Sequence, residues 1–249
     1  MECSNHHFDA IVVGAGIMGS STAYQLAKRG QKTLLLEQFD FLHHRGSSHG
    51  ESRTIRATYP EDYYCDMVME SLQMWEQAQS EAGYKTGSKC PTRFSGMINI
   101  PEDWFGVLTD VGGVIKPTKA VSMFQALAFQ RGAVLRDNME VKNVVKDEVR
   151  GGVNVETANG EKFWGEKCVI TAGAWARKLV KTVAGLELPI QALETTVCYW
   201  RIKEGKEAKF AIGSDFPTFA SYGEPYVYGT PSLEFPGLIK IALHGGYPL

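Results

Sequence analysis

Three glycines, Gly14, Gly16 and Gly19, constrain this chain more than any other feature, because of what stands on either side of them. Residues 8–13 (Phe-Asp-Ala-Ile-Val-Val) form a short apolar run ending in glycine, as a buried parallel strand does. Ile17 to Lys28 is rich in Ala, Leu, Met and Gln, and Gly30 supplies a stop, so it reads as a helix. Lys32 to Glu37 reads as a second buried strand, completing a βαβ unit of about 30 residues. A lone Gly-x-Gly-x-x-Gly is weak; here the strand, the helix and the closing acid are all in place. Gly14 allows a tight turn, Gly16 lets the backbone approach a pyrophosphate, and Gly19 with Ala23 lets the helix lie close on the sheet. The helix N-terminus then suits two negative charges. Glu37 can accept hydrogen bonds from a ribose diol and would repel a 2′-phosphate, which disfavours NADP. The expectation is a Rossmann-type site for the ADP half of a dinucleotide; the plain alternative is a glycine-rich turn that binds nothing.

Charge and composition narrow the partners. The net charge is -2 and no run of five or more Lys or Arg occurs, so neither nucleic acid nor an anionic membrane is expected. No run of 18 apolar residues is present, so no membrane span is expected. The cysteines (Cys3, Cys65, Cys90, Cys168, Cys198) are odd in number and far apart, which suits reduced intracellular thiols. The histidines lack metal-ligand spacing, and the pairs His6-His7 and His43-His44 read as loop residues; no metal site is expected. The polar start is not a signal peptide and Tyr247-Pro248-Leu249 is not a Ser-Lys-Leu-type address, so a soluble intracellular protein, cytoplasmic or peroxisomal, is expected.

Further along, Tyr63 to Ala82 reads as a helix with Met67, Val68, Leu72, Trp75 and Ala78 on one face, closed by Gly83. Residues 85–93 read as loop. Thr118, with Pro117 just before it, reads as the cap of a helix to about Gln130. Val153 and Val155, the Asn159-Gly160 pair and Lys162-Phe-Trp164 indicate a hairpin, with Cys168–Thr171 as another short strand. Beyond Pro189 the chain turns strand-rich and aromatic.

An NAD enzyme usually continues from this unit with alternating strands and helices. This chain instead enters a polar loop and then a long helix, which points away from NAD. The loop, Gly46-Ser-Ser-His-Gly-Glu-Ser-Arg-Thr-Ile-Arg56, is dense in hydrogen-bonding and cationic groups. Ser47, Ser48 and Ser52 can donate to phosphate or isoalloxazine oxygens. Arg53 and Arg56 are three apart and on a helical turn would share a face as an anion clamp. On residue types alone, a solvated loop with surface arginines is an equal reading. Lys240, between Ile239 and Ile241, is either an exposed strand lysine or one aimed into a cavity.

In this loop, in Asp9–Glu37, Gly112-Gly-Val-Ile-Lys-Pro117, Thr171-Ala-Gly-Ala-Trp175, and Tyr226-Val-Tyr-Gly-Thr-Pro-Ser232 through Lys240 and His244, the chain resembles the monomeric sarcosine oxidase and L-pipecolate oxidase family, its plant members especially. The resemblance implies an α/β fold, in full an α+β two-domain flavoprotein. A Rossmann-type FAD-binding domain would comprise 1–84 and 112–187, and a partial antiparallel-sheet substrate domain 85–111 and 188–249. It implies FAD as cofactor and oxidation of a small secondary amino acid by O2, giving an imine and hydrogen peroxide, in a monomer. It implies that His49 lies close to the flavin, with Ser52, Gly173 and Trp175 also on the cofactor. Arg53 would sit over the flavin ring and Arg56 would bind the substrate carboxylate. Tyr228 and His244 would line the substrate side, and Lys240 would promote the reaction with oxygen.

Two departures are expected to matter. Between Gly83 and Phe94 the family runs through several dozen more residues, and after His244-Gly-Gly-Tyr it continues to a flavin-linking cysteine, a glycine-rich loop and a second cation. An internally shortened, C-terminally truncated member with unlinked flavin is therefore expected. The alternatives are an inactive flavin- or ADP-binding relic and, further off, an NAD-dependent dehydrogenase.

Overall fold

A computed structural model describes residues 7–50, 52–59, 61–89, 103–233 and 235–248. Cys3, His6, Cys90 and positions 90–93 of the expected loop lie outside the described residues. In chain order the elements are β1 (His7–Val13), α1 (Ile17–Lys28), β2 (Thr33–Leu36), β3 (Arg53–Arg56), α2 (Asp62–Ala82), β4 (Gly87–Lys89) and β5 (Gly112–Ile115). Then follow α3 (Pro117–Gln130), β6 (Val134–Arg136), β7 (Val141–Lys146), β8 (Val153–Thr157), β9 (Lys162–Ile170) and α4 (Ala176–Ala184). The last strands are β10 (Leu193–Glu194), β11 (Tyr199–Arg201), β12 (Phe219–Ser221), β13 (Val227–Thr230), β14 (Leu238–Leu243) and β15 (Tyr247–Pro248).

The chain divides into two compact units. The first comprises Met1–Gly50, Pro117–Ala192 and Leu249; the second comprises Glu51–Lys116 and Leu193–Pro248. Residues 51–84 and 112–116 thus pack with the second unit, where the sequence suggested the first. The reason is that β3 pairs with β5 and not with the parallel sheet.

The first unit is built on a six-stranded sheet of order β6-β2-β1-β9-β8-β7. β1 runs parallel to β2 and β9, and β2 to β6, while β8 is antiparallel to β7 and β9. Every residue of β2 is buried, as are Ala10–Val13 of β1, the pattern of a sheet covered on both faces. α1 packs on α3 through small residues such as Ala23, Ala27, Ala120 and Ala128, with Tyr24 tilted against Phe124 at 5.9 Å. The opposite face holds a core of Phe8, Ile11, Leu34, Met139, Val155 and Phe163, with their neighbours.

Three local readings change. Pro117 is the first residue of α3, not its predecessor, because the first turn needs no N–H from it. Thr118 therefore lies inside the helix. Lys162–Trp164 and Cys168–Ile170 are one nine-residue strand, not two. Gly165 between them is no break: a Cβ there would stand 2.9 Å from Ile11 Cγ1, so glycine serves close packing.

The second unit carries a sheet of order β3-β5-β4, another of order β11-β14-β13-β12, and the β10-β15 pair. Its small core is Ile202, Phe216 and Ile239 with Phe210, Phe219 and Ile241 packed on it. β4 falls inside the segment expected to be loop, because pairing with Gly113–Ile115 supplies what its own sequence lacks. α2 closes at Gly83 as expected, but its covered stripe runs Cys65, Val68, Leu72, Trp75, Ala78 and Gln79. Met67 is 58% exposed and lies off that stripe.

Ile11→Ala should lower the stability of the first unit by about 2–5 kcal/mol, the usual cost of a large buried truncation. Urea unfolding of the whole chain checks this, with Val145→Ala, at a position 59% exposed, shifting the midpoint little.

Candidate functional site

In the first unit the C-terminal ends of β1, β2 and β9 open on a cavity of about 600 Å³. Its lining includes Gly14–Met18, Glu37, His43, Gly46–Ser48 and Thr171–Ala176. β1 lies between two parallel neighbours, the position at which open α/β sheets bind ligands.

The turn after β1 hides its carbonyls. Ser20 Oγ donates to Ala15 O at 2.9 Å and Gln125 Nε2 to the same oxygen at 3.2 Å. Thr171 Oγ1 lies 3.0 Å from both Val13 O and Gly14 O. The amides are treated differently. Gly16 is the N-cap of α1 with no side-chain cap, and first-turn N–H groups have no intrahelical acceptor. Ser48 Oγ accepts from Ile17 N–H at 3.0 Å, and the rest of the turn remains available to an anion. Gly14 has φ +102°, a left-handed conformation that side chains rarely adopt. At Gly19 a Cβ would lie 1.8 Å from Gly14 O and 2.6 Å from Thr171 Oγ1, so the fold admits no side chain there.

Glu37 is 5% exposed. Ala15 N–H donates to its Oε2 at 2.7 Å and Phe39 N–H to its Oε1 at 3.2 Å. His43 Nε2 stands 3.4 Å from Oε1. Ser47, Gly173 and Trp175 line the same cavity, and Trp175 meets Phe39 edge-on at 5.4 Å. His49 stacks on His44 at 5.5 Å. Sequence reasoning passed over Ser20, Gln125 and His43, whose roles appear only when distant elements meet.

The second unit holds the remaining expected residues. The helical clamp of Arg53 and Arg56 does not form: β3 is a strand, and residues an odd number apart on a strand face opposite ways. Arg53 Nη1 donates to Ser52 O at 2.8 Å. Lys240, on β14, is 4% exposed and donates from Nζ to Ser52 O at 3.1 Å, with Ser52 Oγ at 3.4 Å and the Tyr228 ring at 5.7 Å. Burial, and then the charge of Arg53, push its pKa down to about 8.

Arg56 is framed by three tyrosines that the sequence did not single out for this role. Its Nη2 donates to Tyr226 Oη at 3.2 Å, and its guanidinium lies 4.8 Å from the Tyr59 ring and 5.6 Å from that of Tyr222. Burial alone would lower its pKa; Tyr222, Tyr226 and Tyr59 outweigh it and raise it. Nε is buried without a partner among the described residues. His244 is exposed, and its ring stacks on Tyr226 at 4.2 Å and meets Tyr228 edge-on at 6.4 Å. Ser52, Arg53, Tyr228 and Lys240 thus form one group, and Arg56 with Tyr59, Tyr222, Tyr226 and His244 another.

Residues 9–105 and 100–244 match the model of a family described as FAD dependent oxidoreductase. The chain belongs to the family of FAD-dependent oxidoreductases. It is 62% identical to a probable sarcosine oxidase of Arabidopsis thaliana, over 96% of this chain and 66% of the relative. It is 36% identical to the peroxisomal sarcosine oxidase of Homo sapiens, over 96% of this chain and 69% of that protein. The chain thus spans about two thirds of the length of these relatives. The plant alignment runs over 278 positions but takes up 96% of a 249-residue chain, so the relative carries residues within the matched span that this chain lacks. Among solved structures the fold is similar to that of NikD, an unusual amino acid oxidase, at TM-score 0.80 and 22% identity, covering 98% of this chain and 72% of that one. L-proline dehydrogenase from P. horikoshii is similar at TM-score 0.74 and 21% identity, covering 96% of this chain and 70% of that one.

FAD is the cofactor of this oxidoreductase family, and the first unit suits its ADP half: a helix that starts at a glycine, a turn with glycine at 14, 16 and 19, and a buried carboxylate. Among the described residues no cluster could hold a metal ion, and no helix is long and apolar enough to cross a membrane.

Gly19→Ala should abolish flavin uptake, which the absorbance spectrum of the purified variant checks. Lys240 sets a pH dependence of stability. Its pKa is about 8 in the fold against 10.5 ordinarily, so between these values the unfolded chain binds more protons and stability rises with pH. Lys240→Met should flatten that rise in urea titrations taken from pH 8 to 10.5.

Proposed function

We propose that this chain binds FAD and oxidises the C–N bond of a small secondary amino acid of the sarcosine or L-pipecolate type. Two electrons and two protons leave the substrate, giving an imine that hydrolyses, and O2 takes them up as hydrogen peroxide. The observation that carries this reading is the pair of cations in the second unit, buried Lys240 and half-buried Arg56, for which no carboxylate partner exists among the described residues. The reading accords with relatives that are named sarcosine oxidases.

Each residue has a physical task. Arg56 receives the substrate carboxylate, since a charged donor desolvated by aromatic rings gains most from an anion. Tyr228 and His244 line the substrate's side of that cation. Bound FAD supplies the electron-pair acceptor for the amine and the donor for O2. Lys240 places a positive charge where negative charge develops as oxygen is reduced. Even with its pKa lowered to about 8, the ammonium form still dominates near neutral pH, and it is lost as the pH rises through that value. Ser52 holds Lys240 through its carbonyl, Arg53 faces the flavin, and Ser47, Ser48, His49, Gly173 and Trp175 belong to the cofactor's surroundings. A monomer in the cytoplasm or peroxisome completes the reading; a bacterial relative is named monomeric and the human and mouse relatives peroxisomal.

The test is direct: load the purified chain with FAD and measure peroxide from sarcosine and L-pipecolate. Arg56→Met should raise KM roughly 10- to 100-fold, charged hydrogen bonds being worth ~1.5–3 kcal/mol. Lys240→Met should slow the oxygen step on the order of 100-fold, as loss of one charge-stabilising group does, while anaerobic bleaching of the flavin by substrate keeps its rate. Flavin-loaded protein that no secondary amino acid bleaches would refute the proposal.

A further inference from the structure

We propose that His43 is a positioning residue of the ADP site, fixing the Glu37 carboxylate so that Oε2 meets the ribose of the bound nucleotide. This rests on the reading that the first unit's cavity takes the ADP half of FAD.

A backbone hydrogen bond fixes the tautomer of the imidazole. Arg45 N–H donates to His43 Nδ1 at 3.0 Å, so Nδ1 is the acceptor and the ring proton sits on Nε2. Nε2 is the atom 3.4 Å from Glu37 Oε1. The ring has little freedom to turn away. Phe39 meets it edge-on at 4.9 Å, and Arg45 covers Phe39 at 4.6 Å. At Gly46 a Cβ would stand 3.6 Å from His43 Cε1 and 3.7 Å from Trp175 Cζ3, so the ring, the glycine and the indole are in close succession.

The consequence falls on Glu37. An ionised carboxylate has about four acceptor sites, two on each oxygen. Oε1 faces Phe39 N–H at 3.2 Å and His43 Nε2, both within the protein. Among the described residues Oε2 accepts only from Ala15 N–H, at 2.7 Å, which leaves it one site. His43 and Phe39 therefore commit one oxygen to the protein and leave the other for a ribose hydroxyl. Without His43 the Ala15 and Phe39 amides alone hold the carboxylate, Oε1 loses its imidazole neighbour, and the nucleotide must then do more of the ordering on binding. A residue that sequence reasoning set aside as part of a loop thus acts through Glu37 on the cofactor.

The test uses the full chain and equilibrium binding of FAD, ADP and 2′,3′-dideoxy-ADP, followed by calorimetry. The wild type should prefer ADP to the dideoxy compound. His43→Leu should weaken ADP and FAD about tenfold while dideoxy-ADP stays within twofold, which also shows that the variant is folded. His43→Gln, which keeps an N–H donor, should recover most of the loss. In a Glu37→Gln background His43→Leu should add no further loss, as for two residues acting on one bond. Equal losses for ADP and dideoxy-ADP would reduce His43 to space filling and overturn the proposal, as would no loss at all. If the wild type binds neither FAD nor ADP, the ADP-site reading itself falls, which the wild-type titration alone reveals.

Discussion

A peptide turn that is to hold a pyrophosphate must present amides and dispose of carbonyls, and most of the first unit follows from that requirement. The carbonyls of Val13, Gly14 and Ala15 sit where a doubly charged anion would be repelled by them. The chain answers with hydroxyls and an amide from three separate places: Ser20 in α1, Gln125 in α3, and Thr171 after β9. Gln125 can reach only if α3 lies on α1, as it does here. Thr171 can reach only if β9 lies in register beside β1, which the pairing of Val13 with Ile170 secures. Close packing at Gly165 and Ile11 keeps that register. The anion site thus depends on residues more than a hundred positions away.

The second unit shows the opposite economy, in which charge is desolvated without a counter-charge among the described residues. Placing Lys240 in a strand between Ile239 and Ile241 desolvates its ammonium, and the Ser52 carbonyl offsets only part of that cost. Arg56 gains from ring faces and one phenol, interactions weaker than a carboxylate would give. A fold optimised for stability alone would pair or remove such groups. Their retention fits sites in which the missing negative charge arrives with a substrate or develops during reaction, which is the role proposed for both.

What the sequence disclosed and what it withheld divide along the same physical line. β1, α1, β2 and α2 could be read because their signal is local: apolar runs, helical periodicity and glycine stops lie within the elements themselves. The Asn159-Gly160 hairpin was legible for the same reason, with Gly160 at φ +85° in the turn. β4 was missed because only its partner β5 makes it a strand. The face assigned to α2 was off at Met67, since periodicity gives a stripe but not its edge. β3 was read as a possible helical turn because Arg53 and Arg56 are spaced for one, and antiparallel pairing with Gly112–Ile115 decided otherwise. Likewise Glu37 stood out by its place at a strand end, while His43, Gln125 and the tyrosines about Arg56 became visible only through contacts far along the chain.

The loop from Gly46 to Arg56 concentrates these lessons. Its first half, Gly46–Ser48, lines the cavity of the first unit, where Ser48 takes the Ile17 amide and Gly46 leaves room for His43 and Trp175. Its second half belongs to the other unit, where Ser52 accepts from Lys240 and Arg53, and Arg56 meets its tyrosines. Gly50, at φ +95°, lies between the halves, in a conformation that a side chain would resist. The dense sequence motif is therefore not one clamp but two sets of contacts joined by a flexible residue type. Each half obeys the chemistry of its own unit: hydroxyl and small residues where a phosphate approaches backbone, cations and a buried hydroxyl where charge is to be received.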